Sequence, residues 1–177
     1  MIAARRPSVD GLLLELGVDR AALRRRGLRR QAEARRLTPV GLGSDGRDKL
    51  LTPAAARAWL AMQEAALADG VTLLLVSAFR SAEYQAALLR MRLARGESIQ
   101  AALKVNAPPG YSEHHSGRAI DIGTPGCGGL DEAFENTAAY AWLQREAHRY
   151  GFTMSYPRDN PQGYRYEPWH WCFTRRP

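Results

Sequence analysis

The sequence predicts an α+β fold in which helices pack against a small, mostly antiparallel sheet. Two observations support this class. Short apolar segments bounded by turn residues are typical of strands, and longer segments with helix start and stop signals are typical of helices. Both kinds occur along the chain, and their order favours one small sheet with packed helices. A length of 177 residues suits one domain.

The first predicted helices form an extension that precedes the main domain. Leucines within residues 9–36 give an apolar face that is interrupted near Gly17 and Gly27, which indicates two short helices. We therefore divide the chain into an N-terminal helical extension, residues 1–36, and a main domain, residues 37–177.

The main domain contains clear helix signals. Thr52 followed by Pro53 predicts a helix start, and Ser81 predicts the N-cap of the next helix. The predicted elements are a loop over 39–47, a helix over 53–68 ending at Asp69-Gly70, a strand over 72–77, a helix over 82–94 ending at Gly96, irregular residues 106–110, a strand of alternating character over 118–122, a Gly-rich loop over 123–129, helical residues 131–150, and strands over 152–156 and 166–173.

The chain is basic, with a formal net charge of +7. Much of the excess lies in the arginines of residues 24–36, which present either a surface for polyanions or a solvated helix face. Because these residues lack interleaved aromatic side chains and any recognised motif, we expect no nucleic-acid partner. The longest apolar run, residues 71–76, is too short to cross a bilayer, so we expect no membrane span.

Two features bear on the compartment. Residues Met1–Arg6 have the charge of a secretory leader, but no apolar segment or small-residue cleavage site follows them, so we expect a cytoplasmic protein. Cys127 and Cys172 lack the spacing of zinc knuckles or redox motifs. A bridge between them would need an oxidising compartment, and we favour free, partly buried thiols.

Two segments contain residue types that are typical of a zinc site. Ser112–Asp121 contains the pattern S-x-H-x-x-G-x-A-x-D, and Glu167–His170 contains E-x-x-H. Zinc in hydrolases takes three protein ligands, for which imidazole and carboxylate are suitable, and keeps one position for water. Asp121 lies among apolar residues of a predicted strand, so its charge needs a partner such as a metal. We predict that His114, Asp121 and His170 bind Zn²⁺.

Glu167 is the candidate general base. On a regular strand it would point away from the face that carries His170, but Pro168 between them predicts a bend that brings both side chains toward the metal. A carboxylate that lies beside the metal without binding it is the usual general base of such hydrolases.

Over roughly residues 37–173 the chain resembles the VanY-type D-alanyl-D-alanine carboxypeptidases, zinc peptidases that trim peptidoglycan stem peptides. The matching segments are Ser77–Ser81 followed by Tyr84-Gln85, Ala107–His114, Gly117–Ile122, Tyr150–Phe152 and Glu167–His170. The resemblance implies the small α+β fold shared with hedgehog signalling domains. It also implies Zn²⁺ on the three predicted ligands, Glu167 as catalytic base, and a peptidoglycan stem peptide or muropeptide as partner.

The resemblance further implies residues that contact the substrate. Arg80 would act in catalysis by holding the substrate near the scissile bond, and Gln85 and Ser112 would bind its terminal carboxylate. Alternatives are a strand-end salt bridge for Arg80 and a solvent-facing position for Gln85. The chain departs from the family pattern at Ser155 and Cys172, where the family often has arginine. Both departures remove a positive charge near the cleft, which leaves the substrate preference open.

The predicted function is therefore removal of a C-terminal D-alanine from stem peptides, as a D,D- or L,D-carboxypeptidase. One alternative is an endopeptidase that cuts within the stem peptide, as in phage endolysins. Another is a zinc-stabilised domain that binds cell-wall peptide without turnover, against which the presence of Glu167 and Arg80 argues. The family's substrate makes the periplasm or cell envelope the alternative to the cytoplasm.

Overall fold

The structure is a computed structural model that describes residues 7–128 and 130–174, so the basic start Met1–Arg6 and Gly129 of the predicted loop lie outside the described residues. It is α+β, as predicted. The helices are α1 (Val9–Glu15), α2 (Arg20–Arg25), α3 (Pro53–Ala68), α4 (Ala82–Ala94), α5 (Ile99–Ala102) and α6 (Ala138–Glu146). The strands are β1 (Thr38–Leu42), β2 (Asp48–Leu51), β3 (Leu74–Ser77), β4 (Ala119–Gly123), β5 (Phe152–Met154) and β6 (His170–Phe173). Short 3₁₀ helices span Glu113–Ser116, Glu132–Asn136 and Ala147–Tyr150.

The main sheet has four strands in the order β3-β4-β6-β5, and every neighbouring pair is antiparallel. The strand predicted over 118–122 is present as β4, and all five of its residues are buried. The reason is that β4 lies inside the sheet and is covered on both faces. The side chains along β4 alternate in polarity, because Ile120 and Ile122 join the apolar core while Asp121 points to the opposite face of the sheet.

Helices α3 and α6 cover the apolar face of the main sheet. Their Trp59, Met62, Trp142 and Leu143 pack in one cluster with Ile120 and its neighbours. Helix α3 begins where predicted, after Thr52 and with Pro at its first position, and it ends at Asp69. This packing leaves the opposite face of β4 and β6 for polar side chains.

Two boundary predictions were wrong. Residues 39–47 are not all loop, because β1 and β2 form an antiparallel pair. Pro39 and Gly41 within β1, and its largely exposed side chains, leave no apolar pattern to indicate a strand. The predicted strand 166–173 is only β6, since the residues before it form a turn in which the His170 amide donates to the Glu167 carbonyl at 3.0 Å.

The two predicted N-terminal helices are present as α1 and α2. The Ser8 and Asp19 side chains cap them by accepting hydrogen bonds from the Gly11 and Ala21 amides. They pack on α4 and on α5, a short helix that the sequence did not indicate, and form a second apolar cluster. The division at residues 36 and 37 stays a prediction.

Among the residues that the structure describes, no helix combines the length and apolar character needed to cross a bilayer. The cysteines are not joined: Cys172 is buried and Cys127 is half-buried, each as a free thiol.

Candidate metal and catalytic site

Strands β4 and β6 and the turn Glu113–Ser116 bring the three predicted ligands together. Antiparallel pairing sets Asp121 directly opposite His170. His114 lies in the turn, where the Ser112 hydroxyl oxygen accepts a hydrogen bond from its amide at 3.3 Å. The exposed fractions are 1% for His114, 1% for Asp121 and 2% for His170, so the site is closed off from bulk water on most sides.

The donor atoms converge. One ligand atom from each of His114, Asp121 and His170 lies within 4.8 Å of the other two. Asp121 Oδ1 lies 2.9 Å from His170 Nδ1, and Asp121 Oδ2 lies 3.2 Å from His114 Nε2. The two imidazole rings are 5.0 Å apart at an angle of 75°. Two imidazoles and one carboxylate are a donor set that zinc uses when it keeps an open position.

His114 is held in the form that a metal requires. Its Nδ1 lies 2.6 Å from the Ala78 carbonyl oxygen, which only accepts, so Nδ1 carries the proton. Nε2 is buried and makes no hydrogen bond to any described residue, which leaves its lone pair available. Burial and the charge of Arg80 lower the pKa of His114 to about 4, so the imidazole is neutral at pH 7, as a ligand must be.

His170 is oriented by Glu113, a residue that the sequence analysis missed. His170 Nε2 lies 3.0 Å from Glu113 Oε2, which also accepts a hydrogen bond from the Ser155 hydroxyl at 2.6 Å. Burial opposes ionisation of Glu113, but the hydrogen bonds from His170 and Ser155 outweigh it and lower its pKa to about 2. A carboxylate that is hydrogen-bonded to one ring nitrogen fixes the orientation of the imidazole. The other nitrogen, here Nδ1 on the side of Asp121, is then the one that can bind a metal.

The buried charges compensate one another. Burial alone would raise the pKa of Asp121, but His114, His170 and Arg80 together lower it well below 3.8. Burial likewise disfavours the charged form of His170, yet its hydrogen bonds to Asp121 and Glu113 raise its pKa to about 10. A divalent metal that displaced the proton between His170 and Asp121 would meet two neutral imidazoles and one carboxylate, a donor set that suits it.

Glu167 lies in the turn before β6, beside the predicted ligands. The turn around Pro168 is the predicted bend, and it brings Glu167 Oε2 to 3.8 Å from His170 Nδ1. The Glu167 amide donates to the Tyr156 carbonyl at 3.1 Å, which holds the turn in place. Burial raises the pKa of Glu167 to about 7, against the effect of the His170 charge. Such a group can take up and release a proton at neutral pH.

Arg80 follows β3 and points into the same cleft. Its Nη2 donates to Asp121 Oδ2 at 3.0 Å, so the ion-pair alternative describes part of its contacts. Its Nη1 lies 3.4 Å from Gln85 Oε1, and its buried Nε makes no hydrogen bond to a described residue. Gln85 is 1% exposed, so it does not face solvent, and its amide nitrogen donates to the Ala107 carbonyl at 2.8 Å.

His115 fixes the backbone near Arg80, a role that the sequence did not assign. Its Nε2 accepts a hydrogen bond from the Gly110 amide at 3.0 Å, so its Nδ1 carries the proton and donates to the Arg80 carbonyl at 2.6 Å. Burial lowers the pKa of His115 and favours this neutral form. Ser112 is also buried and lines the cleft.

The predicted ligands lie in a cleft of about 420 Å³. Tyr156, Tyr164 and Trp169 contribute aromatic surface, and Glu132 and Arg165 lie among its charged lining residues. The Tyr156 ring stacks on the His170 ring at 4.7 Å. The site therefore combines a buried polar end with an aromatic wall, an arrangement that suits a small substrate.

The fold and the clustered donor set define a small α+β domain with a candidate metal site. The family model of VanY, D-alanyl-D-alanine carboxypeptidase, matches residues 48–176. The chain therefore belongs to the VanY family, which confirms the resemblance.

Curated relatives agree with this assignment. YodJ of Bacillus subtilis (strain 168) is 39% identical over 120 residues, which are 66% of this chain and 43% of YodJ. A D-alanyl-D-alanine carboxypeptidase of Enterococcus faecalis is 33% identical over 121 residues, 63% of this chain and 43% of that protein. The matched region thus spans less than half the length of these relatives.

Solved structures confirm the hedgehog-like peptidase fold. The LdcB LD-carboxypeptidase superposes with a TM-score of 0.72 at 32% identity, covering 81% of this chain and 70% of LdcB. A variant of the vancomycin-resistance D,D-pentapeptidase VanY, in complex with Zn(II), superposes with a TM-score of 0.61 at 28% identity, covering 82% and 80%.

Proposed function

We propose that the chain is a zinc-dependent peptidase that removes a C-terminal D-alanine from peptidoglycan stem peptides. The observation that carries this proposal is the convergence of His114, Asp121 and His170 in the cleft, with Glu167 beside them. Membership of the VanY family supports it, as does the likeness to VanYB in complex with D-alanine-D-alanine.

The proposed roles follow from the contacts. A zinc ion held by His114, Asp121 and His170 would activate water and polarise the peptide carbonyl. Glu167 takes the proton from the attacking water and gives it to the nitrogen of the departing D-alanine, so its carboxylate is restored when the C–N bond breaks. A pKa raised by burial to about 7 suits both transfers.

Arg80 holds the substrate at the reacting carbonyl in this proposal. Its guanidinium is fixed by Asp121 and Gln85, and its buried Nε is a donor that the described residues leave without an acceptor. A fixed positive group of this kind stabilises the charge that develops on the carbonyl oxygen. The Ser112 hydroxyl and the second amide hydrogen of Gln85 are the candidate donors to the terminal carboxylate.

The burial of the candidate ligand residues supports a small leaving residue. The three candidate ligand residues are at most 2% exposed, so only a compact end of a peptide reaches them. D-alanine meets this requirement, whether the preceding residue has the D or the L configuration at the scissile bond.

The test is mass spectrometry of defined pentapeptide and tetrapeptide stems after incubation with the zinc-loaded protein. Loss of one alanine from the pentapeptide indicates D,D-carboxypeptidase activity, and loss from the tetrapeptide indicates L,D-carboxypeptidase activity. Metal analysis of wild-type protein and of His114→Ala accompanies the assay, and we expect zinc in the first and little in the second.

An internal cut in either stem would replace the carboxypeptidase by an endopeptidase. No product from any stem, with zinc bound, would contradict a peptidase and favour a binding domain.

A further inference from the structure

Residues 7–36 of the N-terminal extension precede the part of the chain that matches the family model, yet they pack against helices of the main domain. Helices α1 and α2 bury Leu13 and Leu23, with exposed fractions of 0% and 1%, against α4 and α5. Helix α4 carries Gln85 of the candidate site, so the extension lies on the outer side of an element that lines the cleft.

The segment after α2 runs alongside the turn that carries a predicted metal ligand. The Gln31 amide donates to the Gly110 carbonyl at 2.8 Å, and the Ala34 amide donates to the His115 carbonyl at 2.8 Å. These backbone bonds hold the residues on both sides of His114. The extension is therefore fixed relative to the site at several points.

Arg26, at the end of α2, contacts the wall of the cleft that contains Tyr164. Its Nε donates to the Gln162 carbonyl at 2.6 Å, and its Nη1 donates to the Leu103 carbonyl at 3.1 Å at the end of α5. Its guanidinium lies over the Tyr164 ring, 4.6 Å from the ring centre. One side chain thus ties α2 and α5 to the loop that carries Tyr164.

An aromatic stack continues from this contact to the candidate metal site. The Tyr164 ring packs on Tyr156 at 4.8 Å, and Tyr156 stacks on His170 at 4.7 Å. Asn160 organises the loop, because its side chain donates to the Pro157 and Tyr164 carbonyls and accepts from the Tyr164 amide. The loop holds its own shape, and Arg26 is a side chain that anchors it to the rest of the molecule.

We propose that Arg26 is a positioning residue for substrate binding, which fixes the cleft wall formed by Tyr156 and Tyr164. It does so without touching the reacting atoms. The substrate in this inference is the stem peptide of the proposed function, on which the inference rests. Charge-assisted hydrogen bonds to two carbonyls and a ring contact hold a loop more firmly than neutral contacts do, so their loss lets the wall move away from the substrate.

The experiment compares Arg26→Ala and Arg26→Lys with Arg24→Ala, a matched control because Arg24 is exposed on the same helix. With the stem peptide that the wild type hydrolyses, we expect Arg26→Ala to raise KM about tenfold with kcat within about twofold, the pattern of lost binding that is uniform along the reaction. Lysine keeps the charge over Tyr164 but cannot reach both carbonyls, so Arg26→Lys should give an intermediate KM.

Zinc content and Tm are measured on each variant to show that it is folded and loaded. A folded Arg26→Ala with the wild-type KM would show that Arg26 only stabilises the fold, and would overturn the proposal. The Arg24→Ala control should match wild type.

A second readout separates this inference from the proposed function. Trypsin cleavage after Arg158, in the same loop, should be several-fold faster in Arg26→Ala than in Arg24→Ala. If the wild type cleaves no stem peptide, the proposed function fails, and equal trypsin rates in the two variants would then also overturn the anchoring role.

Discussion

The face of the sheet that carries Asp121 and His170 and the cluster around α1 and α2 are both deeply buried, but they bury different chemistry. In the first region the buried side chains are titratable or polar and nearly all are paired with one another. In the second they are aliphatic, with Leu12, Leu13 and Leu23 among them. Burying charge is costly unless it is compensated, whereas burying leucine stabilises the fold directly.

The two regions therefore have different roles in the molecule. The polar region contributes little to folding by itself, so its residues are explained by what they can bind. The aliphatic region explains stability. Substitutions in the first should therefore change activity or metal affinity more than they change stability, and substitutions in the second should change stability more than activity.

The largest effect is expected from Glu167→Gln. Glutamine has the same shape but cannot accept the proton of the attacking water, so kcat should fall about a thousandfold. Zinc stoichiometry should stay at the wild-type value because Glu167 is not among the predicted ligands. Steady-state kinetics and metal analysis on the same sample provide the check, and near-normal turnover would remove Glu167 from the mechanism.

The same variant tests the burial of Glu167. Folding raises the pKa of this carboxyl from 4.5 to about 7, so ionised Glu167 costs stability progressively as pH rises from 4.5 to 7, and fully above 7. In metal-free protein at pH 8, Glu167→Gln should therefore have a higher Tm than wild type. A lower Tm under these conditions would contradict the buried environment.

The next effect is expected in the other region, from Leu13→Ala. Leu13 is fully buried, and its truncation leaves a cavity between α1 and the helices beneath it, which should cost about 3 kcal/mol of unfolding free energy. Leu14→Ala is the matched control, since Leu14 is 83% exposed on the same helix. Denaturant unfolding measures both, and kcat of folded Leu13→Ala should stay close to wild type.

The sequence indicated His114 and Asp121 as candidate ligands because the evidence for them is local. His114 and Asp121 lie seven positions apart in one sequence pattern. Asp121 lies inside an apolar strand, where its buried charge requires an oppositely charged partner. Glu113 could not be found in this way, because its partner His170 is 57 positions away and only the fold brings them together. Arg26 and Gln162 are 136 positions apart, so their contact could not be predicted from the sequence for the same reason.

Secondary structure was predictable where capping and burial agreed. The start of α4 at Ser81 is an example, because the serine side chain accepts a hydrogen bond from the Tyr84 amide, as expected for an N-cap. The pair β1-β2 was missed because both strands are short and because β1 is largely exposed and contains Pro39 and Gly41. Long-range pairing, rather than local preference, determines such strands.

A smaller effect is expected from Glu113→Gln. The amide is a weaker acceptor for His170 Nε2–H than the carboxylate, so His170 is less firmly oriented, and zinc affinity should fall about ten- to a hundredfold. Glu132→Gln is the matched control, because Glu132 is another carboxylate of the cleft lining but is largely exposed. Competition with a chromophoric chelator gives the affinities.

A spectroscopic readout sharpens the same comparison. The visible spectrum of the Co²⁺-substituted protein should change in Glu113→Gln and not in Glu132→Gln, since only the first substitution alters a ligand's hydrogen bond. Wild-type zinc affinity and spectrum in Glu113→Gln would mean that Glu113 does not orient His170.

The smallest effect is expected from Ser155→Ala, at the position where the chain departs from its family's frequent arginine. The Ser155 hydroxyl donates to Glu113 at 2.6 Å, and loss of one such bond should weaken zinc binding about fivefold, corresponding to about 1 kcal/mol. If Ser155 acts only through Glu113, the double variant Ser155→Ala/Glu113→Gln should bind zinc no more weakly than Glu113→Gln alone. Additive losses in this double-mutant cycle would show that Ser155 reaches the metal site by another route, and the polar region would then be less tightly coupled than its hydrogen bonds indicate.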